Sequence, residues 1–211
     1  TAKAKWQGFF LSLNVGYSTH GGATGVTIPT VRGLGKIAVG PGYDEAVTTA
    51  RGNGLAIALQ IGHNIKGYAS IWADLAWNGD FGMQRRVDQD GFGTISLIAA
   101  IHPLRFWRAD APVDVKLYAG YGFFEILYYY EMQFQAKATG KAWTGTAIPF
   151  GLSGEWRVPD SVFAIGLDLR FVRGSYDTWI YNYDKNYSSD LSADPVTTLR
   201  FAPRVTFGWH F

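Results

Sequence analysis

Val113-Asp114-Val115-Lys116-Leu117-Tyr118-Ala119-Gly120-Tyr121-Gly122-Phe123 is the stretch that decides the fold. Its odd positions are apolar throughout. Its even positions hold an acid, a base, a tyrosine and two glycines. A period of two marks a strand whose two faces meet different surroundings. Here one face is wholly uncharged and the other carries both signs.

Working outward, seven other segments repeat the pattern. Trp6 to Tyr17 sets Phe9, Leu11, Leu13 and Val15 against Ser12 and Asn14. Segment 53–64 sets Leu55, Ile57, Leu59 and Ile61 against Ala56, Ala58 and Gln60. Segment 68–77 sets Ile71, Ala73, Leu75 and Trp77 against Ser70, Trp72 and Asp74. Segments 92–102, 146–156 and 162–172 come next, the last placing Ile165, Leu167 and Leu169 opposite Asp168 and Arg170. Leu199 to Phe211 closes the series, with Phe201, Val205, Phe207 and Trp209 opposite Arg200, Arg204 and His210. Each segment runs roughly 10–13 residues, enough for a tilted strand to cross a bilayer, where about 9–11 are needed. Strands of soluble proteins average about 5–6.

The connections alternate. Short ones fall at Asn64–Gly67, Leu104–Pro112 and Arg157–Ser161, and long ones at 18–52, 78–91, 125–145 and 174–198. Tyr128 to Phe134 continues the fifth segment, and Thr139-Gly140 reads as the tip of a hairpin. Short turns on one side and long loops on the other predict an all-β fold. The expectation is a closed antiparallel eight-stranded transmembrane β-barrel, an up-and-down meander with a polar packed interior and four long extracellular loops. It occupies 1–211 as one domain, with both termini periplasmic.

The charges decide which face is wet. The polar faces carry Asp74, Asp114, Glu155 and Asp168 against Lys116, Arg170, Arg200 and Arg204. A narrow barrel requires such a balance, because a buried charge must be paired. Eight strands leave room inside only for side chains. The uncharged faces therefore point to lipid, and the sheet must close, since unpaired edge groups are too costly there. Asp168 with Arg204, and Lys116 with Glu155, are the expected interior pairs.

The totals agree. The chain has 26 Gly, 8 Trp, 12 Tyr and 14 Phe but no Cys. Aromatics suit the membrane interfaces, and Trp6, Tyr68, Trp107, Trp156 and Trp209 fall at one end of the segments. The absence of Cys excludes disulfides and thiolate metal sites. The net charge of +2, with scattered basic residues, argues against a nucleic-acid partner. The start Thr1-Ala2-Lys3 reads as a mature terminus from which a secretory signal has been removed.

The last segment, Val205-Thr206-Phe207-Gly208-Trp209-His210-Phe211, has aromatics at alternate positions and a terminal Phe. It is similar to the C-terminal signature of bacterial outer-membrane proteins, and the chain resembles the small barrels that include the OmpA transmembrane domain, OmpX and OmpW. The resemblance implies a Gram-negative outer-membrane location. It also implies recognition by the barrel-assembly machinery through Phe207, Trp209 and Phe211. It carries over no catalytic residue.

No motif for catalysis, a metal or a cofactor stands out. Arg32-Gly33-Leu34-Gly35-Lys36 is not a phosphate loop: Thr30 stands where its first Gly belongs, and Ile37 follows the Lys. His20, His63, His102 and His210 have no metal-ligand spacing. Arg32, Lys36, Arg85 and Arg86 are candidate contacts for lipopolysaccharide phosphates. The Tyr- and Asn-rich run Tyr176–Tyr187 resembles a binding surface. Loops 18–52 and 174–198 are the places for a surface partner. The reading is a non-enzymatic integral outer-membrane protein, envelope-structural or surface-binding, embedded in outer-membrane lipid and lipopolysaccharide. Two other readings remain open. One is a conduit for small hydrophobic molecules, as the likeness to OmpW implies, with Ile98 and Val172 in an apolar upper lumen. The other is a lipid A acylase or deacylase drawing on Ser18, His20, Glu125, Ser175 and Asp177.

Overall fold

The computed structural model describes residues 7–24, 54–79, 88–108, 111–133, 137–182 and 188–211. Eight strands run in chain order: β1 (Gly8–Thr24), β2 (Gly54–Ile65), β3 (Ala69–Gly79), β4 (Asp88–Ile101), β5 (Val113–Gln133), β6 (Lys137–Arg157), β7 (Phe163–Asn182) and β8 (Ser188–His210). One short helix, α1 (Pro103–Trp107), lies between β4 and β5. Each strand pairs antiparallel with its sequence neighbours, and β1 pairs with β8, so the sheet closes into a barrel. Gly8 and His210 lie at one end, called here the terminal end; the opposite end is distal.

The alternation sorts the side chains as the charges require. Leu75, Leu97 and Leu167 point outward, 57%, 51% and 63% exposed, while Asp74 and Asp168 are 1% and 2% exposed. The outer surface is an apolar belt that contains Phe9, Leu59, Ile71, Leu117, Phe150, Leu152 and Val205. Acyl chains, rather than water, solvate a belt of this kind. The β2–β3 turn at the terminal end is tight, whereas the β4–β5 connection there carries α1. Lys66 and Gly67 both have positive φ, 52° and 78°, and the Tyr68 N–H donates to Ile65 O at 3.1 Å. Residues 66–68 separate the last β2–β3 pair, Ile65 and Ala69, and Gly67 adopts the left-handed conformation there without Cβ strain.

The strands differ in height. β2 and β3 have 12 and 11 residues, whereas β5, β6, β7 and β8 have 21, 21, 20 and 23. One wall is thus roughly ten residues taller than a bilayer crossing requires. This corrects the loop boundaries. Much of 125–145 and 174–198, and Ser18 to Thr24 and Asp88 to Gly91, belongs to strands. Thr139 and Gly140 are not a hairpin tip; they pair with Glu131 and Tyr130 within the β5–β6 ladder. The apolar period fades where both faces of a strand leave the membrane, while backbone pairing continues. The remaining parts of loops 18–52 and 78–91 lie outside the described residues.

Candidate functional site

The polar face of every strand converges on the lumen, which is filled in layers. At the terminal end Asp114 is the hub. His102 Nδ1 donates to Asp114 Oδ2 at 2.5 Å, and His102 Nε2 lies 3.0 Å from Ser70 Oγ. Arg105 Nε reaches Asp114 Oδ1 at 3.2 Å, and its other nitrogens donate to Ala111 O and Val113 O at 2.9 and 3.1 Å. Arg105 comes from α1, so Asp114 ties that helix to the barrel wall.

The next layer joins Lys116, Glu155 and His210. Lys116 Nζ donates to Glu155 Oε1 at 2.5 Å, and His210 Nε2 lies 3.1 Å from Glu155 Oε2. Asn64 Nδ2 is 3.3 Å from His210 Nδ1, a pattern that fits the Nε2–H tautomer. Phe10 sits inside here between Trp72 and His210, with ring centroids 6.1 and 5.8 Å away.

At mid-height Arg170 binds Asp74 in a fork, Nη1 to Oδ2 at 2.6 Å and Nη2 to Oδ1 at 2.7 Å, while Gln60 adds a bond to Asp74 Oδ1 at 2.9 Å. Asp168 pairs with Arg204 and accepts from Tyr118 Oη at 2.5 Å. Val172 is buried on the distal side of Arg170, whereas Ile98 is not in the upper lumen: it pairs with Trp72 and packs with Phe10 and Tyr118 on the terminal-end side of Asp74. Higher still, Glu125 accepts from Thr94, pairs with Arg200, and accepts from Tyr176 Oη at 2.9 Å. The Arg200 guanidinium lies 4.2 Å from the Phe92 ring centroid.

The structure thus places all eight charged residues singled out in the sequence, Asp74, Asp114, Lys116, Glu155, Asp168, Arg170, Arg200 and Arg204, inside the barrel. It sets Asp168 against Arg204 and Lys116 against Glu155. Sequence reasoning assigned no lumenal partner to five members. Tyr176 falls in a stretch that reads as a loop, and Arg105 in one that reads as a turn. His102 and His210 carry no local sign of a partner. Glu125 falls in the outward phase of its segment. Ile95 pairs with Phe124 and Ser96 with Gly122, so Phe123 is an extra residue, a β-bulge that leaves both Phe123 and Phe124 outside. The bulge resets the phase and turns Glu125 inward. The local sign was available: two consecutive apolar residues break the alternation just before an acid.

Ser70, His102 and Asp114 reproduce the hydrogen-bond order of a hydrolase triad. They do not make an open site: Ser70 is 2% exposed and His102 and Asp114 are fully buried. Of the candidates chosen for lipid A chemistry, only Ser18, Glu125 and Ser175 have described side chains. Ser18 and Glu125 are buried in the lumen, and Glu125 is already held by three partners; the side chains of His20 and Asp177 lie outside the described ones. His63 is exposed on the outer face. Among the described residues no group of three acids or histidines is placed to hold a metal. Arg32, Lys36, Arg85 and Arg86 lie outside the described residues. Trp209 packs edge-on against Phe163 at 5.7 Å, and Phe207 pairs with Ile165 in the β7–β8 ladder. Phe211 is 65% exposed, with its N–H bonded to Phe9 O at 2.8 Å.

No family model and no curated protein matches the chain. Solved structures do. Neisserial surface protein A is 10% identical, with 97% of this chain and 98% of that one covered and a TM-score of 0.50. A major outer membrane protein from Thermus thermophilus is 12% identical, with 95% and 99% covered and a TM-score of 0.52. At such identities the likeness is one of architecture. With its closed meander, apolar belt and charge-filled lumen, the chain has the fold of the small eight-stranded outer-membrane barrels.

Proposed function

We propose that this protein is a non-enzymatic, non-conducting barrel of the bacterial outer membrane, with its termini toward the periplasm and its tall β5–β8 wall presented outside the cell. The observation that carries the reading is the pair of cross-lumen locks, Asp74–Arg170 from β3 to β7 and Glu125–Arg200 from β5 to β8. Each spans the bore at a different height. Both draw on fully buried groups, so a continuous water path would have to break them. What remains for the protein to do lies on its surface: to reinforce the envelope, or to present the raised wall and loops 18–52 and 174–198 to a partner.

In that setting the sequence offers Arg32, Lys36, Arg85 and Arg86 as contacts for lipopolysaccharide phosphates, and Phe207, Trp209 and Phe211 as the signal for the assembly machinery. The test is a planar-bilayer recording of the refolded protein. The expected result is no steady conductance approaching that of a porin; a stable open level of porin size overturns the reading. A second reading, passage of small hydrophobic molecules, draws on Val172, which is buried and pairs with Arg200 in the β7–β8 ladder. It predicts saturable binding of an apolar fluorescent probe, lost when Val172 is replaced by Asn.

A further inference from the structure

Between the Lys116–Glu155 layer and the mid-height layer the lumen contains a small cavity. About 10 Å³ of it is open to the centre of a water molecule. Its walls include Asn14, Trp72, Gln60, Asp168, Glu155 and Thr206. Two of these residues carry a buried donor that meets no acceptor among the described residues: Asn14 Nδ2 and Trp72 Nε1. Asn14 and Trp72 are 1% and 4% exposed. A buried N–H without a partner costs about 1–3 kcal/mol. These two groups share the wall of one cavity, whereas other unpartnered atoms of the lumen, among them Ser12 Oγ, Arg170 Nε and Arg204 Nη1, belong to residues outside that wall, so the pair points to a shared acceptor between them.

We propose that this cavity is a binding site for a single water molecule, which accepts hydrogen bonds from Asn14 Nδ2 and Trp72 Nε1 and donates to the acceptors across the cavity.

Size and chemistry select water. The space matches the roughly 10–15 Å³ that one buried water requires. The occupant must accept from two N–H groups, which excludes a cation. It must also sit beside the carboxylates of Asp168 and Glu155, which excludes chloride. Only a small neutral molecule able both to donate and to accept satisfies the two sets. Thr206 Oγ1 donates to Asn14 Oδ1 at 2.6 Å, which fixes the amide so that its nitrogen is the group left over. Lys116 Nζ is already turned to Glu155 Oε1 and Tyr118 Oη to Asp168 Oδ1, so neither competes for the site. Of the neighbouring ion pairs, Lys116, Glu155 and Asp168 contribute to the wall of the site.

The test is nuclear magnetic resonance of the protein refolded in detergent micelles. The Trp72 indole N–H resonance is assigned by its loss in Trp72→Phe. The expected result is a rotating-frame cross-relaxation peak from that indole proton to water in the wild type. The peak disappears in Asn14→Leu, whose side chain takes the space, while the indole resonance itself remains. Absence of the peak in the wild type overturns the proposal, as does its persistence in folded Asn14→Leu. Should Asn14→Leu fail to fold, a crystal structure of the wild type decides. A solvent peak within hydrogen-bond distance of both Asn14 Nδ2 and Trp72 Nε1 supports the site, and a featureless cavity overturns it.

Discussion

Arg170 on β7 reaches across the bore of the barrel to grip Asp74 on β3, forming two parallel bonds of 2.6 and 2.7 Å between walls that share no ladder. A forked guanidinium–carboxylate pair is the strongest side-chain contact available to a buried lumen, and it is directional. Its ends sit halfway around the barrel from each other, so it fixes the cross-section in a way that backbone pairing alone does not.

Removing one partner leaves a buried charge unmatched, at a cost of about 3–5 kcal/mol. Arg170→Met is therefore expected to destabilise the barrel by that amount. The double variant Asp74→Leu/Arg170→Met removes both charges and should recover a large part of the loss. Equilibrium denaturation in micelles, run as a double-mutant cycle, checks this; strictly additive single effects would show that the pair is not coupled.

The lumen is tight enough that single methyl groups matter, but not everywhere. A Cβ built at Gly151 would collide with Leu169 O and lie 2.6 Å from the Tyr118 hydroxyl oxygen, the hydroxyl that holds Asp168. At Gly154, on the outward face of the same strand and paired with the exposed Leu167, the nearest atom is Asp114 O at 4.0 Å. Gly151→Ala should cost about 1–3 kcal/mol by overpacking. Gly154→Ala should be close to neutral. Equal denaturation midpoints for the two variants would contradict the packing account.

The outer belt has the opposite tolerance. Leu167 is 63% exposed, yet its neighbour in sequence is the buried Asp168. Leu167→Lys places a charge among acyl chains and should cost about 2–4 kcal/mol in a bilayer if the site lies near the midplane. In a soluble barrel the same change on so exposed a side chain would be almost free. Unfolding titrations in lipid vesicles measure the difference.

Phe211 separates assembly from stability. Its ring is mostly exposed and lies 6.1 Å from the Phe9 ring, and its backbone is tied to β1 by a bond to Phe9 O. Phe211→Ala keeps that bond, so refolding into detergent should change by less than about 1 kcal/mol. The fraction of protein reaching the outer membrane in cells should fall several-fold if the terminal ring is read by the assembly machinery. A normal yield in the membrane fraction would remove Phe211 from that role.

Some of this was written in the chain. The alternation in Val113–Phe123 and its seven counterparts fixes strand identity and the face of each residue, because successive side chains of a strand point opposite ways. The mixed signs on one face then fix the inversion, because buried charge must be neutralised. The Asp168–Arg204 and Lys116–Glu155 contacts were legible too, since each joins adjacent strands whose order is that of the chain. What only the tertiary structure decided is everything that crosses the bore or depends on stagger. Asp74 with Arg170, Glu125 with Arg200, and the meeting of Ser70, His102 and Asp114 require the closed barrel with its actual register, and no local period encodes the register between strands that are not neighbours. The Phe123 bulge belongs to the same class. One added residue reverses the facing of every later residue in the strand, and the pattern alone leaves open whether the ladder absorbs that residue or ends there.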